Sequence, residues 1–428
     1  MTVTTSSSKA TSDDSSACCV YEPLEGVERL ENYRPGGYHP IQIGDHFHGR
    51  YRVVHKLGYG TYSTMWLARD EQSKKYVAVR VSAADSNQKE ADIISSLTHP
   101  HGSAGNNLGK AMVPSILDRF TIHSPNGEHA CYVTAPARAS LSVLKDGSWI
   151  RLFQLDVARA LAAQLVLAVD YVHDQGFVHG EIHLGNILLN GEPELEPAIH
   201  LDGKPLPPGV PSHGIAPIWL GEASENITLA EARILLSDFG EAFSYPKELK
   251  YNSHTPPVIR PPEAWFEPEN PLSFQSDIWS LACTIWSILA QRPLFEGFLA
   301  TEDDMTCEHV DALGILPPEW WKRWEARRHK FTEDGKPINR NPYRPGETDS
   351  GMPPVDARER EAIFDMLQLM LSFMPKNRPT AKQVRESEWM VKWALPEYEF
   401  RILTITNKFL QYQIPHNLDI FKEASLLD

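Results

Sequence analysis

The sequence predicts an α+β chain organised in two lobes, a small antiparallel sheet followed by a larger, mostly helical body. Over residues 51–81 apolar side chains alternate with polar ones, and β-branched and aromatic types are common, which is the period of strands with one buried face. Over residues 158–173 the spacing is that of a long amphipathic helix, and the apolar run 278–290 reads as a buried helix. A chain of 428 residues with 42% hydrophobic content is long enough to enclose both bodies.

Taken in order, residues 1–20 are polar and low in complexity, a tail that cannot repay its ordering entropy. Residues 21–45 carry Arg34-Pro35-Gly36-Gly37-Tyr38-His39-Pro40 and are expected to form a packed lead-in. Three antiparallel strands fill residues 51–81, a helix follows over 90–97, and two further strands are expected at 117–122 and 129–134. The small lobe spans 46–136 and the large one 137–395. An insertion at 190–233, rich in Pro and Gly, reads as a surface loop with a short hairpin around His200 to Lys204. Residues 297–316 are acidic, through Glu302, Asp303, Asp304, Glu308 and Asp311, and read either as a docking face or as a solvated helix. Trp320, Trp321 and Trp324 are assigned to packing, and 396–428 form a C-terminal extension.

Composition narrows the function. Five cysteines without metal-ligand spacing point to a reducing compartment and free thiols. The formal charge of -15 argues against adhesion to nucleic acid or anionic lipid and favours basic partners. Residues 1–16 lack the order of a signal peptide, and 278–290 is too short to span a bilayer, so a monomer of the cytosol or nucleus is expected.

The chemistry concentrates in His179-Gly180-Glu181-Ile182-His183-Leu184-Gly185-Asn186, followed later by Asp238-Phe239-Gly240. One carboxylate that can take a hydroxyl proton, with an amide and a second carboxylate that can hold a metal, is the equipment of phosphoryl transfer. Upstream, Leu57-Gly58-Tyr59-Gly60-Thr61-Tyr62-Ser63-Thr64-Met65 forms a glycine hairpin whose backbone can approach phosphates closely. The order resembles the eukaryotic protein kinases, with their catalytic loop H-R-D-x-x-x-x-N and metal loop D-F-G. Within them it is similar to the SR-protein kinases of the CMGC group, through Gly36-Gly37-Tyr38-His39-Pro40, the hairpin, Ser124-Pro125-Asn126-Gly127, Ser276-Asp277-Ile278-Trp279-Ser280, and a spacer between catalytic and metal loops.

That resemblance implies the bilobal protein kinase fold, ATP and Mg2+ as cofactors, and a protein substrate of basic, Arg-Ser-rich type. It assigns nucleotide contacts to Leu57, Gly58, Gly60, Ser63, Met65, Ala78, Arg80, Thr134, Pro136 and Leu188, with Thr134 as gatekeeper. Metal ligation falls to Asn186 and Asp238, proton acceptance to Glu181, and phosphate handling to Arg80, paired with Glu90, and to His183. It further pairs Glu263 with Arg378, sets Asp277 beneath the catalytic loop, and matches Arg260 to the CMGC arginine.

Three positions depart from the family pattern. Arg80 stands for a lysine whose ammonium is smaller than the guanidinium fork. Glu181 stands for aspartate and carries one more methylene, and His183 stands for a lysine and supplies less positive charge near pH 7. Gly180 replaces an arginine that receives an activation phosphate, so switching is expected not to depend on one. Two functions follow: a serine/threonine kinase of weak or unusual activity, or a pseudokinase that binds nucleotide or basic peptide without transfer.

Overall fold

The alternating stretch folds into β2 (Tyr51–Gly60), β3 (Ser63–Asp70) and β4 (Tyr76–Ser82), preceded by the short β1 (His46–Phe47). In the computed structural model, which describes residues 26–86, 89–99, 107–191, 208–211, 214–297, 300–338 and 352–402, these strands join β5 (Asp118–Ser124) and β6 (Gly127–Thr134). The six-stranded antiparallel sheet has the order β1-β2-β3-β4-β6-β5. One face buries Val53, Trp66, Val79, Val81, Cys131 and Val133, because period-2 spacing sends those side chains to a common side. The helix α1 (Lys89–Thr98) turns Ile93, Ile94 and Leu97 into the core of the helical body, which ties the two lobes together. The polar tail and the hairpin around His200 lie outside the described residues.

The lower lobe is built around α3 (Leu155–Asp174). Nearly every residue from Val157 to Val172 is buried, so the helix expected to be amphipathic is enclosed on all sides by the lower lobe. Gln164, the one amide inside, is fully engaged: its Nε2 donates to the carbonyls of Ala160 and Ala232, and its Oε1 accepts from the Ile234 amide. Between α3 and the sheet lie β7 (Ala137–Ser140) and α2 (Leu141–Asp146). After α3 come β8 (Phe177–Val178), β9 (Ile187–Asn190), β10 (Ile234–Leu236) and β11 (Phe243–Ser244). They pair as β10-β9-β7 and as β11-β8. The β9–β10 ladder sets Ile187 opposite Leu236, which brings the loops before β9 and after β10 side by side.

Further helices complete this body: α4 (Glu263–Phe266), α5 (Phe274–Leu289), α6 (Glu302–Leu313), α7 (Pro318–Arg323), α8 (Arg327–Lys330), α9 (Ala357–Met370) and α10 (Ala381–Arg385). The apolar run 278–290 is indeed the buried core of α5. Trp320, Trp321 and Trp324 pack with Phe266, Val310 and Phe331, as expected of core residues. Helix continues over 388–402, where Tyr398 joins the main core, so the expected C-terminal extension begins inside a packed helix.

The insertion differs from the expectation of a surface loop. Ile215 is buried in the core of the sheet lobe, and Leu220 is buried as well. The Ile218 amide donates to the Lys56 carbonyl at 2.9 Å, and Asn126 Nδ2 donates to the Gly209 carbonyl at 2.7 Å. Gly209, Ile215 and Ile218 thus pack on the upper lobe, and by Ile227, in the core of the helical body, the chain is on the lower lobe again. Burial of Ile215 drives this, hidden in the sequence by the Pro- and Gly-rich surroundings.

Candidate active site

The site begins with a buried chain of charges. Arg80, midway along β4, donates from Nη1 to Glu90 Oε1 on α1 at 2.8 Å and from Nη2 to Asp238 Oδ1 at 3.3 Å. Glu90 also accepts from Tyr132 Oη at 3.1 Å and from the Phe239 amide at 3.2 Å. Burial pushes the Glu90 carboxyl up, against the pull of Arg80. Burial likewise works against the Arg80 charge, but Tyr132, Glu90 and Asp238 outweigh it and keep the guanidinium protonated. Sequence reasoning named Arg80, Glu90 and Asp238 and missed Tyr132, whose place opposite Arg80 follows from the β4–β6 register.

Asp238 itself has φ 61° and ψ 72°, a left-handed conformation uncommon for a residue with a side chain. Gly240 next to it makes room, since a Cβ there would lie 3.2 Å from Asp238 Oδ1. Across the β9–β10 pair, the Ser237 amide and hydroxyl both donate to the Asn186 carbonyl, at 2.8 and 2.9 Å. Asn186 Nδ2 in turn donates to the Glu181 carbonyl at 3.0 Å. Among the described residues no three His, Cys, Asp or Glu side chains converge into a ready metal cluster. An amide and a carboxylate, completed by phosphate oxygens, form the hard-oxygen set that suits Mg2+.

The catalytic loop is fixed from below by Asp277 on α5, a buried carboxylate. Its Oδ2 accepts from the His179 amide at 2.7 Å and its Oδ1 from the Gly180 amide at 2.9 Å, with His173 Nε2 2.9 Å from Oδ2. His179 is fully buried; its Nδ1 accepts from the Glu181 amide, so its Nε2 donates to the Ser237 carbonyl at 3.1 Å. One imidazole thus joins the loop of Glu181 to the loop of Asp238. Gly180 has φ +81°, and a Cβ there would come within 3.0 Å of the Glu241 carbonyl, so the position favours glycine. Lys250 donates to that same carbonyl and to Glu241 Oε2, both at 2.8 Å. Nothing in the sequence pointed to Lys250.

The departures from the family pattern have measurable surroundings. Burial, aided by Asp238 and Glu241, pushes the Glu181 carboxyl up to about 7, against Lys250. Burial and the nearby His179 bring His183 down to about 4, so it is neutral at physiological pH, and its Nδ1 accepts from the Gly185 amide at 3.1 Å.

Above the cleft, Ala78 faces Thr134 and Met65 faces Arg80 across the ladders of the sheet. Ala78, Thr134, Ser63 and Pro136 are buried, whereas Leu57, Met65 and Leu188 are partly open. A Cβ built on Gly58 or Gly60 would meet no atom within 4 Å, and neither glycine has a left-handed backbone.

Lower down, Arg378 and Glu263 meet in a fully enclosed bidentate pair, Nη2–Oε2 2.6 Å and Nη1–Oε1 2.8 Å. The acids that open α6 are engaged within the chain. Glu302 pairs with Arg260 at 2.8 Å, Asp303 accepts from Trp324 Nε1 at 2.7 Å, and Asp304 pairs with Lys330 at 2.9 Å. Much of their charge is therefore neutralised in place.

Comparison with known proteins agrees with this geometry. The family of protein tyrosine and serine/threonine kinases matches residues 51–305, more than half the chain, and the protein kinase domain family matches residues 223–390. A serine/threonine protein kinase of Aspergillus fumigatus is 25% identical over 375 residues, covering 85% of this chain and 90% of the relative. The serine/threonine-protein kinase SRPK of Physarum polycephalum is 25% identical over 400 residues, covering 85% of this chain and 91% of the relative. A crystallographic kinase domain superposes with a TM-score of 0.57 at 17% identity, over 82% of this chain and 98% of its own, which speaks to the fold. The chain belongs to the protein kinase family and is a serine/threonine kinase of the SR-protein-kinase-like type.

Proposed function

We propose that this kinase transfers the γ-phosphate of ATP to serine or threonine hydroxyls of basic, Arg-Ser-rich protein substrates, with Glu181 as the proton acceptor. The observation that carries the reading is geometric: Asp277 pins the loop of Glu181 through the His179 and Gly180 amides, and the His179 ring joins that loop to the one that bears Asp238. A general base works best with its pKa near the working pH, and burial gives this glutamate that value.

The remaining roles follow from the partners of each side chain. Asn186 has its amide nitrogen committed to the Glu181 carbonyl, so the oxygen is what it offers a cation, alongside the Asp238 carboxylate. Mg2+ held there supplies charge neutralisation for the phosphates. Arg80, fixed by Glu90, contributes a second positive charge in front of Asp238. The hairpin residues Leu57, Gly58, Gly60, Ser63 and Met65 close over the phosphates and base, with Ala78, Thr134, Pro136 and Leu188 as walls. His183, being neutral, can donate or accept a hydrogen bond but adds no charge.

The substrate preference rests on the SR-protein-kinase-like relatives and the charge of -15, since the α6 acids are already paired. Among the described residues no helix is long and apolar enough to cross a membrane, and the reading entails residence in cytosol or nucleus. The test is incubation with Mg2+, labelled ATP and an Arg-Ser repeat peptide, against a control peptide with lysine for arginine. Label in the first peptide is expected. No transfer, even in the Arg80→Lys/Glu181→Asp double variant, would remove the reading in favour of nucleotide binding alone.

A further inference from the structure

The glycine hairpin is held from outside by the segment that precedes the sheet. Tyr38, 3% exposed, donates its hydroxyl to the Gly60 carbonyl at 2.6 Å, at the hairpin tip. Gly37 lets the chain arrive there: a Cβ on it would lie 1.9 Å from the Asn32 carbonyl oxygen, which is impossible without rearrangement. The turn is locked to the sheet lobe, as the Ala84 amide donates to the Gly37 carbonyl at 3.0 Å and the Asp85 amide to the Gly36 carbonyl at 2.8 Å. Asn126 Nδ2 donates to the Tyr38 carbonyl at 2.7 Å, so the backbone of Tyr38 is fixed on both sides.

The hairpin root is held in a similar way. Lys56, the residue before Leu57, is wholly buried between the rings of Tyr59 and Trp66, at 5.4 and 5.3 Å. Its ammonium pairs with Glu28 of the lead-in, which also accepts from Tyr33. Its carbonyl accepts from Ile218 of the insertion at 2.9 Å. Two segments remote in sequence therefore grip both ends of the element that covers the phosphates.

We propose that Tyr38 is a positioning residue for nucleotide: by holding the Gly60 carbonyl, with Lys56 anchoring the root, the lead-in presets the hairpin over the cleft. A hairpin already ordered loses less freedom when ATP binds, so affinity for ATP depends on a hydroxyl that never touches it. The inference rests on the reading of the cleft as an ATP site.

The experiment uses the full chain with Tyr38→Phe, which deletes one hydroxyl, and separately Glu28→Gln/Lys56→Met, which removes both buried charges so that neither is stranded. Hydrogen exchange of amides 57–65 without nucleotide should quicken by about tenfold in Tyr38→Phe. The KM for ATP, and the Kd measured by calorimetry, should rise by roughly three- to tenfold, while kcat and the KM for peptide stay within about twofold. The double variant should move the same quantities in the same direction. Unchanged hairpin exchange and unchanged ATP affinity in both variants would overturn the inference while leaving the kinase reading intact. Wild-type protein that bound no ATP would instead overturn the reading of the cleft, and the role of Tyr38 with it.

Discussion

Arg80 Nη2 stands 3.3 Å from Asp238 Oδ1, so the cation of the sheet lobe already leans on the carboxylate proposed to hold Mg2+. The same guanidinium neutralises Glu90, which is 7% exposed. Arg80→Met strands that buried acid and should cost about 3–5 kcal/mol in urea unfolding, while abolishing transfer. Arg80→Lys keeps the charge but releases the reach to Asp238. We expect it to fold and to raise kcat/KM for ATP by about tenfold, and a fall instead would show that the arginine fork is itself adapted to the phosphates.

With its carboxyl pushed up to about 7, Glu181 should give the reaction an acid limb if it is the proton acceptor proposed above. The base form is the carboxylate, so kcat/KM should climb with pH and level off above about 7. Stability has the opposite slope: the folded-state pKa lies above the unfolded value near 4.3, so stability falls as pH rises between the two. Glu181→Gln should therefore raise Tm more at pH 8 than at pH 5 while losing the limb. An equal rise at both pH values would contradict the burial of that charge.

His183 should take no part in this titration. Held near 4, it stays neutral through the range in which Glu181 ionises. Its imidazole proton resonance, assigned by His183→Gln, should show no inflection between about pH 6 and 8. An inflection in that window would reassign the acid limb.

The Gly180 backbone supplies a fourth expectation. Gly180→Ala meets both a left-handed φ of +81° and a carbonyl contact at 3.0 Å. A loss of about 1–2 kcal/mol is expected from the conformation alone, with a matching fall in activity because the Asp277 bond to that amide shifts. Stability equal to wild type would show that the loop relaxes freely.

How much of this was legible in the sequence depended on the kind of contact. The strands of residues 51–81, α1, α3 and α5 follow from local periodicity, and the register of β4 against β6 then places Ala78 opposite Thr134. The meeting of Arg378 with Glu263, 115 residues away, was available only through resemblance, since spacing carries no trace of it. Tyr132 and Lys250 were silent because a tyrosine or lysine is unremarkable until its partner is known, and Tyr38 stood in a quoted motif with no role attached to it. The insertion misled for a physical reason: proline and glycine dominate its composition, yet Ile215 lies in the core of the sheet lobe.

That seating matters to anyone shortening the polypeptide for expression. An excision that runs through residue 215 would strip Ile215 from its nest and forfeit roughly 1.5–3 kcal/mol of transfer energy. Run on past Ile218, it would also leave the Lys56 carbonyl to find water as a substitute donor. A trimmed variant that behaved poorly would then report a damaged upper lobe, although the cut had been made downstream of the catalytic loop.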